Sequence, residues 1–337
     1  MEDGINQKYK YNPKEFLKVN DYIKGIKIGD KEILSKSITL IESTLPEHRD
    51  LANNVLSKIT TPKKPSLRIG ITGSPGVGKS TFIEAFGCML SKKEHKIAVL
   101  TIDPSSEKSG GSILGDKTRM EQLIKLNNVF IRPTPSKGTL GGVAQHTQEA
   151  ILLCEAAGYN IIIVETVGVG QSETAIHQMV DFFLLLMLAG AGDELQGIKR
   201  GIMELADCIA ITKADSGNEI AAKKAKIAYE NSLHLFPANL NGWVPKAHTC
   251  SSLKKEGIIN IWNTISSHRT QILKSDWLSS NRSNQNVFWM HQKIKESIMS
   301  EFYDNTMNNK EISTYERLVK DGKMSSYAAA EKILKND

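Results

Sequence analysis

The feature that most constrains this chain is a glycine-rich string, Gly73-Ser-Pro-Gly-Val-Gly-Lys-Ser80, directly behind the apolar run 67–72. Its glycines let the backbone turn N–H groups inward around a phosphate chain. Lys79 brings a positive charge to the β- and γ-phosphates, and the Ser80 hydroxyl can complete the shell of a phosphate-bound magnesium ion. A helix predicted from Thr81 onward adds its N-terminal dipole. The string therefore predicts a nucleoside triphosphate site, with these binding residues: Gly73, Ser74, Pro75, Gly76, Val77, Gly78, Lys79, Ser80 and Thr81.

Composition sets the broad class. The chain has 337 residues, of which 40% are hydrophobic and 24% charged, as in ordinary globular proteins with a buried core. The net charge of +6 is mild, and no basic run alternates with aromatic residues, so no nucleic-acid partner is expected. The four cysteines lie far apart without a C-x-x-C pair, which favours reduced thiols in a reducing compartment.

The first residues and the most hydrophobic run give no sign of a secretory or membrane destination. Residues 1–5 lack the basic start and apolar stretch of a secretory signal. The most hydrophobic run, 182–191, is about ten residues long and too short to cross a bilayer. We therefore expect a cytoplasmic protein without a membrane partner.

Periodicity divides the chain into three regions. Residues 1–61 show helical spacing and end at a proline-punctuated linker, residues 62–257 alternate apolar runs with helical segments, and residues 258–337 are helical again. Apolar runs without polar alternation are typical of parallel strands that are covered on both faces. The middle region predicts a doubly wound, mostly parallel α/β sheet of the P-loop NTPase type. Candidate strands are 67–72, 97–103, 128–132, 160–165, 182–188, 207–212 and 246–250.

Acidic residues at strand ends are candidate metal ligands. Asp103 is the first polar residue past the strand 97–102, and Glu165 ends the β-branched run 161–164. Because strand C-termini face the ligand crevice, both carboxylates can reach a magnesium ion or its bound water. In the loop after Glu165, the Gly168 N–H can sense the γ-phosphate. The alternatives are that Asp103 is a turn or helix-capping residue and that Glu165 merely ends its strand.

The tetrapeptide Thr212-Lys-Ala-Asp215 follows another apolar strand and indicates the base. The Asp215 carboxylate can accept from both guanine donors, N1–H and the exocyclic amine, while the Lys213 stem packs over the ring. Adenine leaves this buried carboxylate unmatched. Thr212 stands where an asparagine amide usually braces the phosphate loop, so the sequence leaves that brace open. Backbone N–H groups of Ser251, Ser252 and Leu253 are placed to bind the guanine O6.

With these motifs in hand, the chain resembles the GTPase chaperones associated with methylmalonyl-CoA mutase, formerly described as lysine/arginine/ornithine transport-system kinases. The resemblance spans roughly residues 30–300. Its most specific marks are four strings: Gly110-Gly-Ser-Ile-Leu-Gly-Asp-Lys-Thr-Arg-Met120, Gly141-Gly-Val-Ala144, Glu165-Thr-Val-Gly-Val-Gly-Gln-Ser-Glu173 and Ala189-Gly-Ala-Gly-Asp-Glu-Leu-Gln-Gly-Ile-Lys199.

The resemblance implies a GTPase that cycles between GTP and GDP with Mg²⁺ and acts as a homodimer through its C-terminal helical arm. It also implies an adenosylcobalamin-dependent acyl-CoA mutase as partner, whose cofactor loading and reactivation the GTPase gates. Asp103, Asp116 and Glu165 match the family's metal-site acids. The segment 190–201 matches a mobile loop that communicates with the mutase and brings Lys199 to the nucleotide. The alternative for this loop is a solvated helix start.

Two other functions share parts of this pattern. A metallochaperone GTPase of the nickel-insertion kind has the same sheet and base motif, but the sequence shows no His-rich tract or Cys/His site. A kinase would need a base for an acceptor hydroxyl, and none is visible.

For the dimer arm, large aromatic residues are the expected source of apolar surface: Trp262, Trp277, Phe288 and Trp289.

Overall fold

The computed structural model describes residues 17–60, 62, 64–103, 120–135, 140–166, 172–190, 200–237, 239–304 and 306–335. Its centre is a seven-stranded sheet in the order β3-β2-β4-β1-β5-β6-β7, and every pairing between these strands is parallel. The strands are β1 Leu67–Gly73, β2 Ile97–Asp103, β3 Val129–Pro135, β4 Ile161–Glu165, β5 Phe182–Leu188, β6 Cys208–Thr212 and β7 Lys246–Thr249. The predicted doubly wound parallel α/β sheet is confirmed, and each predicted strand is present.

The strands form because their apolar side chains are buried on both faces. All residues of β1, β4 and β6 are buried. Side chains alternate along β1, so Leu67, Ile69 and Ile71 point to one face of the sheet, while Arg68 and Gly70 belong to the other. This two-sided burial explains why the strand sequences lack the polar alternation of a half-exposed sheet.

Helices cover both faces of the sheet and continue beyond it at each end of the chain. Their bounds, in chain order, are α1 Val19–Ile28, α2 Lys31–Ile41, α3 Pro46–Leu56, α4 Lys79–Ser91, α5 Glu121–Ile124, α6 Leu140–Ala156, α7 Ser172–His177, α8 Arg200–Glu204, α9 Glu219–Leu233, α10 Ile258–Lys274, α11 Trp277–Asp304, α12 Thr306–Lys320 and α13 Ser326–Lys335.

The N-terminal helices pack onto one face of the sheet. Residues of α1–α3 share a continuous apolar core with α6, β2 and β4. Asp30 begins α2 by accepting hydrogen bonds from the Glu32 and Ile33 amides at 2.8 and 3.1 Å. Arg132 of β3 forms an ion pair with Glu42, just beyond the end of α2. These contacts fix the helical N-terminal region against the edge strand.

On the opposite face, α4 and α10 cover the sheet. Phe82 and Phe86 of α4 stack with ring centroids 5.5 Å apart, and Trp262 of α10 packs against Phe86 at 6.1 Å. Trp262 therefore contributes to the core of its own chain. Trp262 is half-buried, whereas Trp289 of α11 is buried and donates to the Gln178 carbonyl at 2.8 Å. These two aromatic residues do not supply the exposed surface that the sequence suggested for the C-terminal arm.

A buried ion network joins α11 to the sheet at the end opposite the phosphate loop. Arg282 binds the Asp181 carboxylate through Nε at 2.9 Å and Nη2 at 2.7 Å, and Nη2 also donates to the Ser66 carbonyl. Arg68 pairs with Glu155 of α6 through two hydrogen bonds of 2.8 Å. Such two-point pairs fix geometry strongly, so α11 has a defined orientation on the domain. Within the described ranges, none of the helices is long and apolar enough to cross a membrane.

Candidate nucleotide site

The glycine-rich string forms the turn between β1 and α4, at the carboxyl end of the central strand. Gly73, Gly76 and Gly78 have φ values of 154°, 79° and 94°. A Cβ at Gly73 would stand 2.5 Å from the Leu186 carbonyl oxygen of β5, so only glycine fits there. The other two glycines adopt the left-handed conformation that curls the loop before the helix begins. The backbone therefore has the shape of a phosphate cradle facing the N-terminus of α4.

The Lys79 side chain folds back over this loop. Its ammonium group donates to the Gly73 carbonyl at 2.7 Å and to the Ser74 carbonyl at 3.1 Å. This position places a positive charge beside the turn between β1 and α4. Lys79 and the helix dipole together make the loop a strong anion site.

Ser80 and Glu165 bring oxygen atoms to the same edge of the sheet. The Ser80 Oγ lies 3.4 Å from the Glu165 Oε1, and the Glu165 side chain is buried at the end of β4. Register pairs Ile71 of β1 with Glu165, so the carboxylate stands beside the strand that leads into the loop. A hydroxyl next to a carboxylate is the hard oxygen set that Mg²⁺ prefers.

A threonine pair links the same two strand ends. The Thr166 hydroxyl lies 2.8 Å from the Thr72 hydroxyl, and the Thr166 amide donates to the Ile71 carbonyl at 3.1 Å. Both threonines are buried. This pair holds the start of the Glu165–Gln171 loop against the residue that precedes Gly73, and sequence reasoning did not identify it.

Several predicted site residues lie partly or wholly outside the described residues. Asp103 ends β2, with its backbone two positions beyond the Thr101–Glu165 pairing, but its side chain is not described. Asp116, Gly168 and Lys199 fall outside the described residues. Among the described residues, no group of three or more His, Cys, Asp or Glu side chains could hold a metal ion.

Thr212 settles the question that the sequence left open about the phosphate-loop brace. Its hydroxyl lies 2.7 Å from the Val77 carbonyl of the loop and 3.2 Å from the Met187 carbonyl of β5. The shorter contact is the better hydrogen bond, since one hydroxyl has one proton to donate. A threonine thus connects the base motif to the phosphate loop at the position where an asparagine amide is usual.

Asp215 of the same tetrapeptide is buried and is held by a serine. The Ser251 hydroxyl donates to Asp215 Oδ2, and the Ala214 amide donates to the Cys250 carbonyl at 3.1 Å. Burial, together with the neighbouring Asp215 charge, raises the pKa of Cys250 to about 12, so that thiol stays protonated. The pairing fixes the carboxylate while leaving its other oxygen for a further donor.

The segment 251–253 differs in detail from its sequence expectation. The Ser251 amide donates to the Glu256 carbonyl at 3.0 Å, so this residue contributes to the site through its hydroxyl instead. Ser252 and Leu253 follow in the turn, and Leu253 is 76% exposed. For the amides of these two residues, binding of the guanine O6 stays a prediction.

The parallel sheet, the phosphate cradle and the Thr-Lys-x-Asp loop braced against it define a P-loop GTPase. The chain belongs to the family of the methylmalonyl-CoA mutase-associated GTPase MeaB, whose family model matches residues 34–307.

Its relatives include GTPase ArgK of Escherichia coli, 46% identical over 283 residues that cover 84% of this chain and 86% of the relative. The mitochondrial methylmalonic aciduria type A homolog of Mus musculus is 44% identical over 321 residues, covering 92% of this chain and 77% of the relative. A solved structure described as a LAO/AO transport system kinase has 36% identity and a TM-score of 0.72, and the match covers 94% and 96% of the two chains.

Proposed function

We propose that this protein is a GTP-binding and GTP-hydrolysing chaperone that gates adenosylcobalamin loading into an acyl-CoA mutase of the methylmalonyl-CoA mutase type and protects or reactivates that enzyme. The observation that carries the nucleotide half is the 2.7 Å contact between Thr212 and the Val77 carbonyl, which joins the base loop to the phosphate loop in one site. The mutase half is supported by membership of the family of the methylmalonyl-CoA mutase-associated GTPase MeaB and by the similarity to the mitochondrial methylmalonic aciduria type A homolog of Mus musculus.

Guanine selection follows from the environment of Asp215. The carboxylate is buried and oriented by Ser251, so it is prepared to accept from two neighbouring donors on one base edge. Guanine presents such a pair and adenine does not. An unmatched buried carboxylate is costly, so the same group that binds guanine also rejects adenine. Lys213, Ser252 and Leu253 complete the base site in this proposal.

The oxygen ligands present at the site fit Mg²⁺. Ser80 and Glu165 stand together, and we propose that the carboxylates of Asp103 and Asp116 complete the set. Bound Mg²⁺ supplies charge neutralisation at the β- and γ-phosphates. Ser80 and the acids orient the phosphates and a water molecule, while Lys79 holds the phosphate chain in place.

Intrinsic hydrolysis is expected to be slow, because the sequence motifs specify no obvious arginine or glutamine beside the γ-phosphate. We propose that the mutase orders the segment 190–201 and brings Lys199 to the nucleotide, while the Gly168 N–H senses the γ-phosphate. A fixed positive charge there would stabilise the charge that develops during phosphoryl transfer.

Lys199→Ala should then keep the basal rate of GTP hydrolysis and lose most of the mutase-dependent stimulation. Lys223→Ala, at an exposed lysine of α9, is the control in the same assay.

We further propose a homodimer formed by the region 258–337, next to a nucleotide domain at 62–257 and a helical segment at 1–61. An apolar stripe supports the dimer: Val287, Met290, Ile294 and Ile298 of α11 are 53%, 52%, 47% and 60% exposed. They recur at helical spacing on one side of the helix, as expected of a face that a second helix covers.

The test is transfer of adenosylcobalamin to the cofactor-free methylmalonyl-CoA mutase of the same organism. Loading is followed by the cofactor's absorbance and by mutase activity, with GTP, with a non-hydrolysable GTP analogue, and with Lys79→Ala. We expect wild type with GTP to change the extent or fidelity of loading, and Lys79→Ala to behave as if no GTPase were added. Identical loading in all cases would refute the chaperone role.

A further inference from the structure

Asn218 stands at the N-cap of α9, three positions after Asp215. Asparagine at this position usually accepts a hydrogen bond from one of the first helix amides. Here its side chain makes no such cap. Its Nδ2 donates instead to the Lys213 carbonyl at 3.0 Å, back across the base loop. The side chain is therefore directed to the base loop, Thr212–Asp215, and not to its own helix.

The loop that Asn218 closes has an unfavourable backbone. Lys213 and Ser216 have φ values of 53° and 54°, in the left-handed region that side chains other than glycine rarely adopt. Such conformations persist only where neighbouring contacts impose them, and they gather at functional sites. One contact that imposes this conformation is the hydrogen bond from the Asn218 side chain to the Lys213 carbonyl. A second is the hydrogen bond from the Asn218 backbone amide to the Asp215 carbonyl at 3.0 Å.

We infer that Asn218 is a positioning residue for guanine recognition, which rests on the proposed function. Its two hydrogen bonds reach the carbonyls of Lys213 and Asp215, the residues proposed to cover the base and to pair with it. Asn218 itself does not need to touch the nucleotide. The contact to Asp215 comes from the backbone amide, which a substitution at this position keeps, whereas the contact to Lys213 comes from the side chain. Loss of the side chain should release the Lys213 carbonyl and loosen the loop that carries the Asp215 carboxylate two residues later, and so weaken base discrimination more than phosphate binding.

Substitutions that retain helix capping separate this role from a purely structural one. Aspartate and serine are N-cap residues as good as asparagine, but aspartate cannot donate and serine is too short to span the same distance. Asn218→Asp and Asn218→Ser should therefore start α9 normally while releasing Lys213. Because Asn218→Ser adds no charge, it also controls for the negative charge that Asn218→Asp places near Asp215. Asn231→Asp, at an exposed position on the same helix, is the matched control for charge.

The measurement is calorimetric affinity of the full-length protein for GDP, IDP and ADP, with a thermal melt of each variant. IDP lacks the exocyclic amine, so the GDP-to-IDP ratio reports how well Asp215 meets that donor. We expect both Asn218 variants to bind GDP about tenfold more weakly and to lose most of the GDP-to-IDP preference. Their melting temperatures should equal that of wild type, and Asn231→Asp should match wild type throughout.

Three results would overturn the inference. Wild-type GDP affinity and GDP-to-IDP ratio in both Asn218 variants would show that the contact has no role in recognition. A fall in melting temperature with an unchanged ratio would assign Asn218 to the fold alone. If wild type itself binds ADP as tightly as GDP, the guanine site fails, and the inference fails with it.

Discussion

Hydroxyl groups set the geometry of the site at the scale of single residues. Thr212 reaches Val77, Thr166 meets Thr72, and Ser251 holds Asp215. The motifs predicted where the phosphate and base residues would gather, because their spacing follows from strand and loop lengths. They could not predict these bonds, since Thr212 and Val77 are 135 positions apart and only the assembled sheet brings them together.

Asp215→Asn tests the base assignment directly. An amide presents a donor where the carboxylate presents an acceptor, so guanine should lose affinity and xanthine, whose edge carries the complementary carbonyl, should gain it. We expect at least about a tenfold fall in GDP affinity and a preference for XDP, measured by calorimetry. Wild-type protein that binds ADP as tightly as GDP would show that the assignment is wrong.

Thr212→Val tests the brace between the two loops. Valine has a similar shape but leaves the Val77 carbonyl without its hydroxyl donor, so we expect a loss of about 1 kcal/mol in unfolding free energy. GDP affinity should fall with it. Thr147→Val is the control, because that buried hydroxyl bonds a carbonyl within α6, away from the site. Equal GDP affinity in both variants would contradict a brace at Thr212.

At the scale of elements, hydrophobic runs predicted the strands well because burial on both faces leaves a clear pattern. The region 161–164 is an example, since each residue is a buried β-branched side chain. The ion network that fixes α11 was not predicted. Arg282 and Asp181 are 101 positions apart, and local pattern does not specify which distant charges pair. Likewise, local pattern did not show that Trp262 and Trp289 belong to the core of their own chain.

Asp207, directly before β6, should make the stability of the fold depend on pH. Burial raises the pKa of Asp207 to about 7, although the Phe183 amide partly opposes this. An aspartate has a pKa of about 4 in the unfolded chain, against about 7 for Asp207 in the fold. Between these two pH values the native state holds a proton that the unfolded state has released, so the stability of the fold falls as pH rises. Nearby His268 has its pKa lowered to about 4 by burial and acts in the opposite direction.

A difference measurement isolates the Asp207 contribution. The melting temperature of Asp207→Asn minus that of wild type should increase from pH 5 to pH 7 and level off above about pH 7. Histidines remote from position 207 cancel in this difference because both proteins contain them. The Nε2 of His268 lies 3.8 Å from the Asp207 carboxylate, so the same comparison is repeated in a His268→Asn background. A difference that does not vary with pH would show that Asp207 is ionised in the fold with its ordinary pKa.

At the scale of the whole molecule, the proposed dimer depends on the exposed stripe of α11. The paired change Ile294→Asp and Ile298→Asp places charge in the centre of that face without altering the core. Wild type should sediment as a dimer at micromolar concentration, and the paired variant as a folded monomer. Ile227→Asp, at an isoleucine 57% exposed on α9, should remain dimeric. A monomeric wild type, or a dimeric paired variant, would remove the stripe from the interface.

Partner-dependent hydrolysis connects these scales, since the nucleotide site, the segment that bears Lys199 and the mutase act together in the proposed function. Single-turnover GTP hydrolysis by the wild-type protein, measured against increasing concentrations of the methylmalonyl-CoA mutase of the same organism, tests this coupling most directly. The expected result is a slow basal rate that rises with mutase concentration and saturates. A rate that stays at its basal value at every mutase concentration, with the cofactor-free and the cofactor-bound enzyme alike, would contradict the proposed function.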